Sequence, residues 1–164
     1  MSAEPSFDSR EFRQALGRFP TGVAVLATLD EQGQPVGLTV SSFNSVSLSP
    51  ALILWSLSLG SSSLAAFTAC QGYVVNVLSS AQLDLALRFS GSRREGRYVG
   101  LDWTPSATGA PRLAGCAAWF ECRHHMQTDA GDHRLFIGEV MACQHEPLPP
   151  LIYHAGRFDL TPAS

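Results

Sequence analysis

Pro35-Val36-Gly37-Leu38-Thr39-Val40-Ser41-Ser42-Phe43 decides the fold class of this chain. Its apolar positions from Val36 to Phe43 form a run too short for a helix, and Asp30-Glu31-Gln32-Gly33-Gln34-Pro35 bounds it as a hairpin-type loop. It therefore reads as a strand. Similar runs lie on either side, at Val23 to Leu29, Leu52 to Leu57 and Tyr73 to Leu78. Two more are expected at Ala117 to Arg123 and Leu135 to Ala142, joined by the turn Asp129-Ala130-Gly131-Asp132. Pro147, Pro149 and Pro150 lead into a last short strand, Leu151 to Tyr153.

Helices are few and short. Asp8 and Glu11 form a capping-box pattern for a helix from about Asp8 to Arg18, with Phe7 and Phe12 spaced as a hydrophobic staple. Phe12, Ala15, Leu16 and Phe19 fall on one face, and Pro20-Thr21-Gly22 ends the element. Ser61-Ser62-Ser63 and Ser79-Ser80 open two further helices, at Leu64 to Phe67 and Ala81 to Phe89. Gly91 to Gly100 is expected to be a mobile loop, and Trp103 to Arg112 a turn-rich segment. Many short strands with few helices favour a closed or partly closed β-barrel over a parallel doubly wound sheet. A single domain over residues 1–164, with flexible ends at 1–7 and 160–164, suits the length.

Composition narrows the chemistry. The chain has eleven arginines and no lysine, which removes Schiff-base enzymes and P-loop nucleotide hydrolases. A net charge of −3, with no basic stripe beyond Arg93, Arg94 and Arg97, argues against a nucleic-acid binder. The arginine cluster itself reads as a solvated loop face, with contact to an adenosine phosphate as the alternative. Charged residues make up 15%, below the roughly 25% of typical soluble domains, which points to surface covered by a subunit partner. No signal peptide is evident, and apolar stretches such as Ala51 to Leu59 are too short to span a bilayer, so a cytoplasmic protein without membrane contact is expected. Cys70, Cys116, Cys122 and Cys143 form no C-x-x-C pair and suit a reduced, buried role. On one continuous strand, Cys116 and Cys122 would lie roughly 20 Å apart, beyond disulfide reach.

Three places can carry chemistry. Gly60-Ser61-Ser62-Ser63 follows a strand and opens a helix, where unpaired N–H groups and hydroxyls suit a phosphate; plain N-capping explains the same serines. Thr39, Ser41 and Ser42 suit the edge of a planar ligand, or simply a solvent-facing strand. His133 follows Gly131-Asp132, where Asp132 can orient its ring, or the turn is simply polar. Glu121, Cys122, His124, His125 and His133 show no zinc spacing, so no metal site is expected. Neither G-x-S-x-G nor G-x-G-x-x-G occurs.

Taken in order, several pieces resemble the short-chain flavin reductase family. They are Phe19-Pro20-Thr21-Gly22-Val23, Pro35 to Leu48, Tyr73-Val74-Val75-Asn76-Val77-Leu78, Gly131-Asp132-His133, Phe136-Ile137-Gly138-Glu139-Val140 and Gly156-Arg157-Phe158. The resemblance spans roughly Phe12 to Phe158. It implies an FMN-binding split β-barrel, mainly β with short helices, that forms a homodimer with flavin sites near the subunit contact.

The resemblance also assigns residues. The segment Thr39, Val40, Ser41 and Ser42 would contact the isoalloxazine ring through backbone groups and hydroxyls, with Ser56 and Leu57 bordering it. Ser61, Ser62 and Ser63 would receive the flavin phosphate, without the basic residue that some relatives carry there, since this chain has Gly60. Asn76 would sit in a pocket-lining strand, and Phe89, His154 and Phe158 would lie near the flavin. Gly-Asp-His is the family's pyridine-nucleotide signature, which places His133 beside the nicotinamide and Asp132 behind it. The implied activity is an NAD(P)H:flavin oxidoreductase acting on FMN or FAD, with NADH or NADPH as co-substrate. It would feed reduced flavin to a transient monooxygenase or halogenase. A flavoprotein with tightly held flavin acting on another small molecule, and a non-catalytic flavin-binding module, are the alternatives.

Overall fold

A computed structural model describes residues 6–91 and 93–160. The flexible ends expected at 1–7 and 160–164 fall mostly outside them. Helix α1 (Ser9–Leu16) begins as its sequence directs. The Asp8 carboxylate accepts from the N–H groups of Arg10 and Glu11, and Glu11 returns the bond to the Asp8 N–H. The Phe7 and Phe12 rings meet at 5.4 Å. No residue of α1 is buried, so Phe12 and Leu16, with Phe19 beyond the helix, turn their apolar face outward from this single chain.

A seven-stranded antiparallel sheet dominates the rest. Its strands are β2 (Ala24–Leu29), β3 (Pro35–Val40), β4 (Asn44–Leu48), β5 (Ala51–Ser58), β6 (Gly72–Val77), β9 (Ala118–Ala130) and β10 (His133–His145). Their order is β3-β2-β6-β9-β10-β5-β4. Two smaller sheets are formed by β1 (Thr21–Gly22), β11 (Leu151–His154) and β12 (Arg157–Leu160), and by β7 (Trp103–Pro105) with β8 (Pro111–Leu113).

The run from Val36 to Phe43 is not one strand. It breaks after Val40, and β4 follows as a separate element that pairs only with β5. The later strands are much longer than expected, at thirteen residues each, because β9 and β10 keep pairing with one another beyond the core. Gly131, at φ +62°, turns the hairpin between them.

Chain order and sheet order together curve the sheet. Its two edges, β3 and β4, are consecutive in the chain and joined by only Ser41-Ser42-Phe43. A connection of that length reaches at most about 14 Å, so the sheet must curl until its edges approach. No ladder joins β3 to β4, so pairing does not close the sheet.

The curled interior holds one core. Trp55 stacks on Phe136 at 4.4 Å, with Phe67 and Tyr73 edge-on to its indole. At Gly138 a Cβ would overlap the Tyr73 hydroxyl, so the close approach there requires glycine. A second cluster gathers Val23, Val25, Leu78, Phe89 and Leu151 beneath helix α3 (Leu83–Ser90). Asn76, fully buried, clamps the two regions together. Its amide N–H groups donate to the carbonyls of Val25 and Pro111, and its oxygen accepts from the Leu113 N–H.

Several local expectations are corrected. Helix α2 (Leu64–Ala69) has no side-chain cap from Ser63; the Ser61 hydroxyl instead accepts from the Ser63 N–H. Within the loop expected over Gly91 to Gly100, of which Ser92 lies outside the described residues, Arg97 is 7% exposed and donates to the carbonyls of Gly37, Gly91 and Arg93. Trp103 to Arg112 contains the β7–β8 hairpin. All four cysteines are free; Cys116 and Cys122 are buried, but Cys70 is half-buried and Cys143 is exposed. Burial pushes the Cys116 thiol up to about 11. Among the described residues, no helix is long and apolar enough to cross a membrane.

Asn76→Ala should remove three buried hydrogen bonds to the backbone and destabilise the fold by about 3 kcal/mol. Urea unfolding checks this, and a loss under about 1 kcal/mol would mean the clamp is dispensable.

Candidate functional site

Two adjoining cavities of about 270 and 280 Å³ share Leu38 and Thr39 and so form one groove along β3. One end is lined by Ser61, Ser62, Ser63, Phe89, Arg94 and Arg97, among others. The other is lined by the Val40 to Ser42 segment, Ser56, Leu57, Ser58 and His133. The groove exists because β3 has a strand partner on one side only. Arg97 Nη1 takes the Gly37 carbonyl at 2.5 Å, so Gly37 turns its backbone away from β2. Strand alternation turns Thr39 the same way, presenting its N–H and C=O along the groove.

The hydroxyls expected to meet a ligand are largely engaged. Thr39 Oγ1 donates to the Ala86 carbonyl at 2.8 Å, tying β3 to α3. Ser42 Oγ donates to the Ser56 carbonyl at 3.2 Å and accepts from the Ser56 N–H at 3.0 Å. Val40 and Leu57 bury their side chains in the core and border the groove from that side. What remains facing outward is the backbone edge and the exposed Ser41.

At the serine end, Ser63 is buried and Ser62 exposed, and Arg94 Nη1 donates to the Ser62 carbonyl at 2.6 Å. Arg94 and Arg97, for which the sequence favoured a solvated face over a phosphate contact, line this end. Among the described residues neither forms an ion pair. Burial and the Arg94 charge both hold the Arg97 pKa below its usual range. Their only sequence signal was their spacing after Gly91. Leu38 and Ser58 were also missed, because nothing but the curl of the sheet brings them here.

His133 opens β10 opposite Ser58 of β5, and the Leu59 N–H donates to the Asp132 carbonyl, fixing the turn at the groove. His133 Nδ1 lies 2.6 Å from the Asp132 carboxylate. The bond from His133 and its charge hold the Asp132 carboxyl below the usual range. An ionised carboxylate only accepts, so Nδ1 carries the proton and Nε2 is left to accept a bond when the ring is neutral.

Other expected residues stand elsewhere. Asn76 is enclosed, its amide engaged internally, and does not line the groove. Phe89 is buried beneath the serine end, edge-on to Tyr98 at 5.0 Å. His154 and Phe158 belong to the small sheet of β1, β11 and β12 and do not line the groove within this chain. Among the described residues no group of three or more metal-ligand side chains occurs. A larger cavity of about 530 Å³, lined by Arg10, Arg13, Arg18 and Gly156, has charge but no histidine or strand edge to orient a reacting ring.

The donor set of the groove fits a planar heterocycle carrying an anionic tail. A strand edge suits the ring's alternating donors and acceptors, and two guanidiniums without carboxylate partners suit a phosphate.

Comparison with known proteins agrees with that chemistry. A family model described as a flavin reductase like domain matches residues 16–161. FMN reductase (NADH) SmoA of Agrobacterium fabrum is 43% identical over 92% of this chain and 85% of its own. Stachydrine N-demethylase reductase subunit Stc3 of Rhizobium meliloti is 40% identical over 93% of this chain, which spans 66% of that relative. Among solved structures, the Streptomyces globisporus NADH:FAD oxidoreductase SgcE6 with NAD and FAD fragments superposes with a TM-score of 0.89 at 33% identity, covering 98% of each chain. BorF, the flavin reductase component of a bacterial two-component tryptophan halogenase, gives 0.88 at 33% identity, covering 96% of this chain and 100% of its own.

A depressed folded-state pKa means that the Asp132–His133 pair contributes stability above the ordinary carboxylate range and loses it as pH falls through the folded value. In His133→Ala, carbon-13 NMR titration should show the Asp132 carboxyl back in the ordinary range. A titration still depressed in that variant would place the cause elsewhere.

Proposed function

The chain belongs to the flavin reductase like family, and we propose that it is an NAD(P)H-dependent flavin reductase that supplies reduced FMN or FAD to a separate monooxygenase or halogenase. The observation that carries this reading is the continuity of the groove. A ring-sized end beside His133 runs along the free edge of β3 into an end lined by two unpaired cations.

A bound flavin supplies the hydride acceptor that no side chain of the protein provides. The protein's part is to orient and to stabilise charge. The Thr39 and Ser41 backbone would bond the ring edge and offset the negative charge that builds there on reduction. Arg94, Arg97 and the serine loop would hold the tail. His133, oriented by Asp132, would accept an N–H from the nicotinamide carboxamide at Nε2 and so set the stacking angle. Hydride transfer needs the reacting atoms about 3–3.5 Å apart, so angular control of this kind acts on rate without proton transfer.

The same reading includes a single domain and a split barrel, the curled sheet being split where β3 and β4 fail to pair. It also includes a homodimer, which the outward apolar residues Phe12, Leu16, Phe19 and Leu48 support. His154 and Phe158 would then approach a flavin only in the assembled dimer.

Anaerobic mixing with NADH or NADPH should bleach the absorbance of added FMN or FAD; no bleaching with any pair would refute the reading. His133→Ala should lower kcat/KM for the nicotinamide nucleotide by at least about tenfold, while the flavin Kd changes less than about twofold. Unchanged turnover would remove His133 from the mechanism.

A further inference from the structure

Arg97 is an unusual residue to bury. Its guanidinium donates to three backbone carbonyls, from Gly37, Gly91 and Arg93, and sits 5.9 Å from the Phe89 ring centroid. Carbonyls satisfy its donors but leave its charge without a counter-ion. A second guanidinium, Arg94, lines the same cavity, and no acid among the described residues pairs with either. Two like charges lining one small cavity, one of them buried, favour an anion between them. Arginine cannot escape by deprotonation.

Geometry narrows the kind of anion. The 2.6 Å bond from Arg94 to the Ser62 carbonyl ties the Arg94 side chain to the serine loop at this end of the groove. A ligand that ends in phosphate can present its free oxygens to both guanidiniums that line this end. One whose chain continues past the phosphate must lead that chain out past Arg94.

Charge points the same way. A terminal phosphate monoester carries nearly two negative charges on three free oxygens at neutral pH, whereas a phosphate within a diphosphate bridge offers one charge on two. Paired guanidiniums therefore gain more from the monoester.

We propose that Arg94 and Arg97 make the serine-loop end of the groove a monoester phosphate site, so that this chain prefers FMN to FAD. The inference rests on the flavin reductase reading and adds the choice of flavin to it. Arg94 is the selecting residue, since it lines the cavity and is tied to the serine loop there. Arg97 is its fixed partner, held by the β3 edge that also borders the ring.

Equilibrium titration of the full chain with FMN, FAD and riboflavin tests this, because the three share a ring and differ only in the tail. FMN should bind most tightly and riboflavin least. Arg94→Ala changes an exposed side chain and should leave the fold intact, weakening FMN about tenfold, riboflavin not at all and FAD less than FMN. The FAD to FMN ratio of Kd values then falls toward one. Arg97→Gln should weaken FMN about ten- to a hundredfold, with thermal melting reporting whether it still folds. Inorganic phosphate should compete with FMN but not with riboflavin at matched ionic strength. FAD binding as tightly as FMN, or Arg94→Ala weakening all three flavins alike, would overturn the proposal while leaving the reductase reading in place. Failure of all three flavins to bind would overturn both.

Discussion

Everything in this molecule turns on the three-residue link between two edge strands. Ser41-Ser42-Phe43 joins β3 to β4 while the sheet order sets them at opposite edges of seven strands, so the sheet has to curl. Ser42 fastens the seam by bonding both the N–H and the C=O of Ser56. Each such bond contributes only about 1 kcal/mol net, so the clasp sets geometry more than stability. Its geometric effect is large: it holds β5, with Ser56 to Ser58, against the end of β3 and leaves the outer edge of β3 unpaired. That unpaired edge is the floor of the groove.

The absence of lysine acquires a structural meaning at the opposite end. Arg97 donates to three carbonyls at once, a task suited to a rigid planar fork with five donors. A lysine ammonium, compact and readily neutralised on burial, would lose its charge in such a place. The same residue thus pins a glycine-rich loop, orients the β3 edge through the Gly37 carbonyl and keeps a positive potential in the groove. Glycine at position 37 is part of that arrangement, since a Cβ there would strike the Tyr98 hydroxyl and the Phe89 ring.

Much of this was legible in the sequence, wherever burial or local chemistry dictates structure. The strands β2, β5 and β6 announced themselves because their residues line the core, and α1 because Asp8 and Glu11 act only on their own neighbours. Gly131-Asp132-His133 was legible for a similar reason: a tight turn needs its glycine, and the carboxylate bonds the adjacent ring. Strand β4 was not legible, because Asn44, Ser45 and Ser47 lie on an edge where nothing demands apolar residues. Nor were the outer halves of β9 and β10, which mutual pairing holds beyond the core. Arg97 was read as solvated because only the fold supplies its three carbonyls. Asn76 stood in the expected strand, but its tertiary partners Pro111 and Leu113 could not be foreseen, and they turn it from a groove residue into a clamp.

The central claim is that the curled seam and the free edge of β3, rather than the cavities elsewhere, form the flavin site. Backbone amide chemical shifts recorded during an FMN titration test it most directly. The account predicts shifts concentrated at Thr39, Ser41, Ser42, Ser62, Arg94 and His133. Shifts concentrated instead around Arg10, Arg13 and Gly156, or around Thr28, Cys70 and Thr108, which line two other cavities, would contradict it.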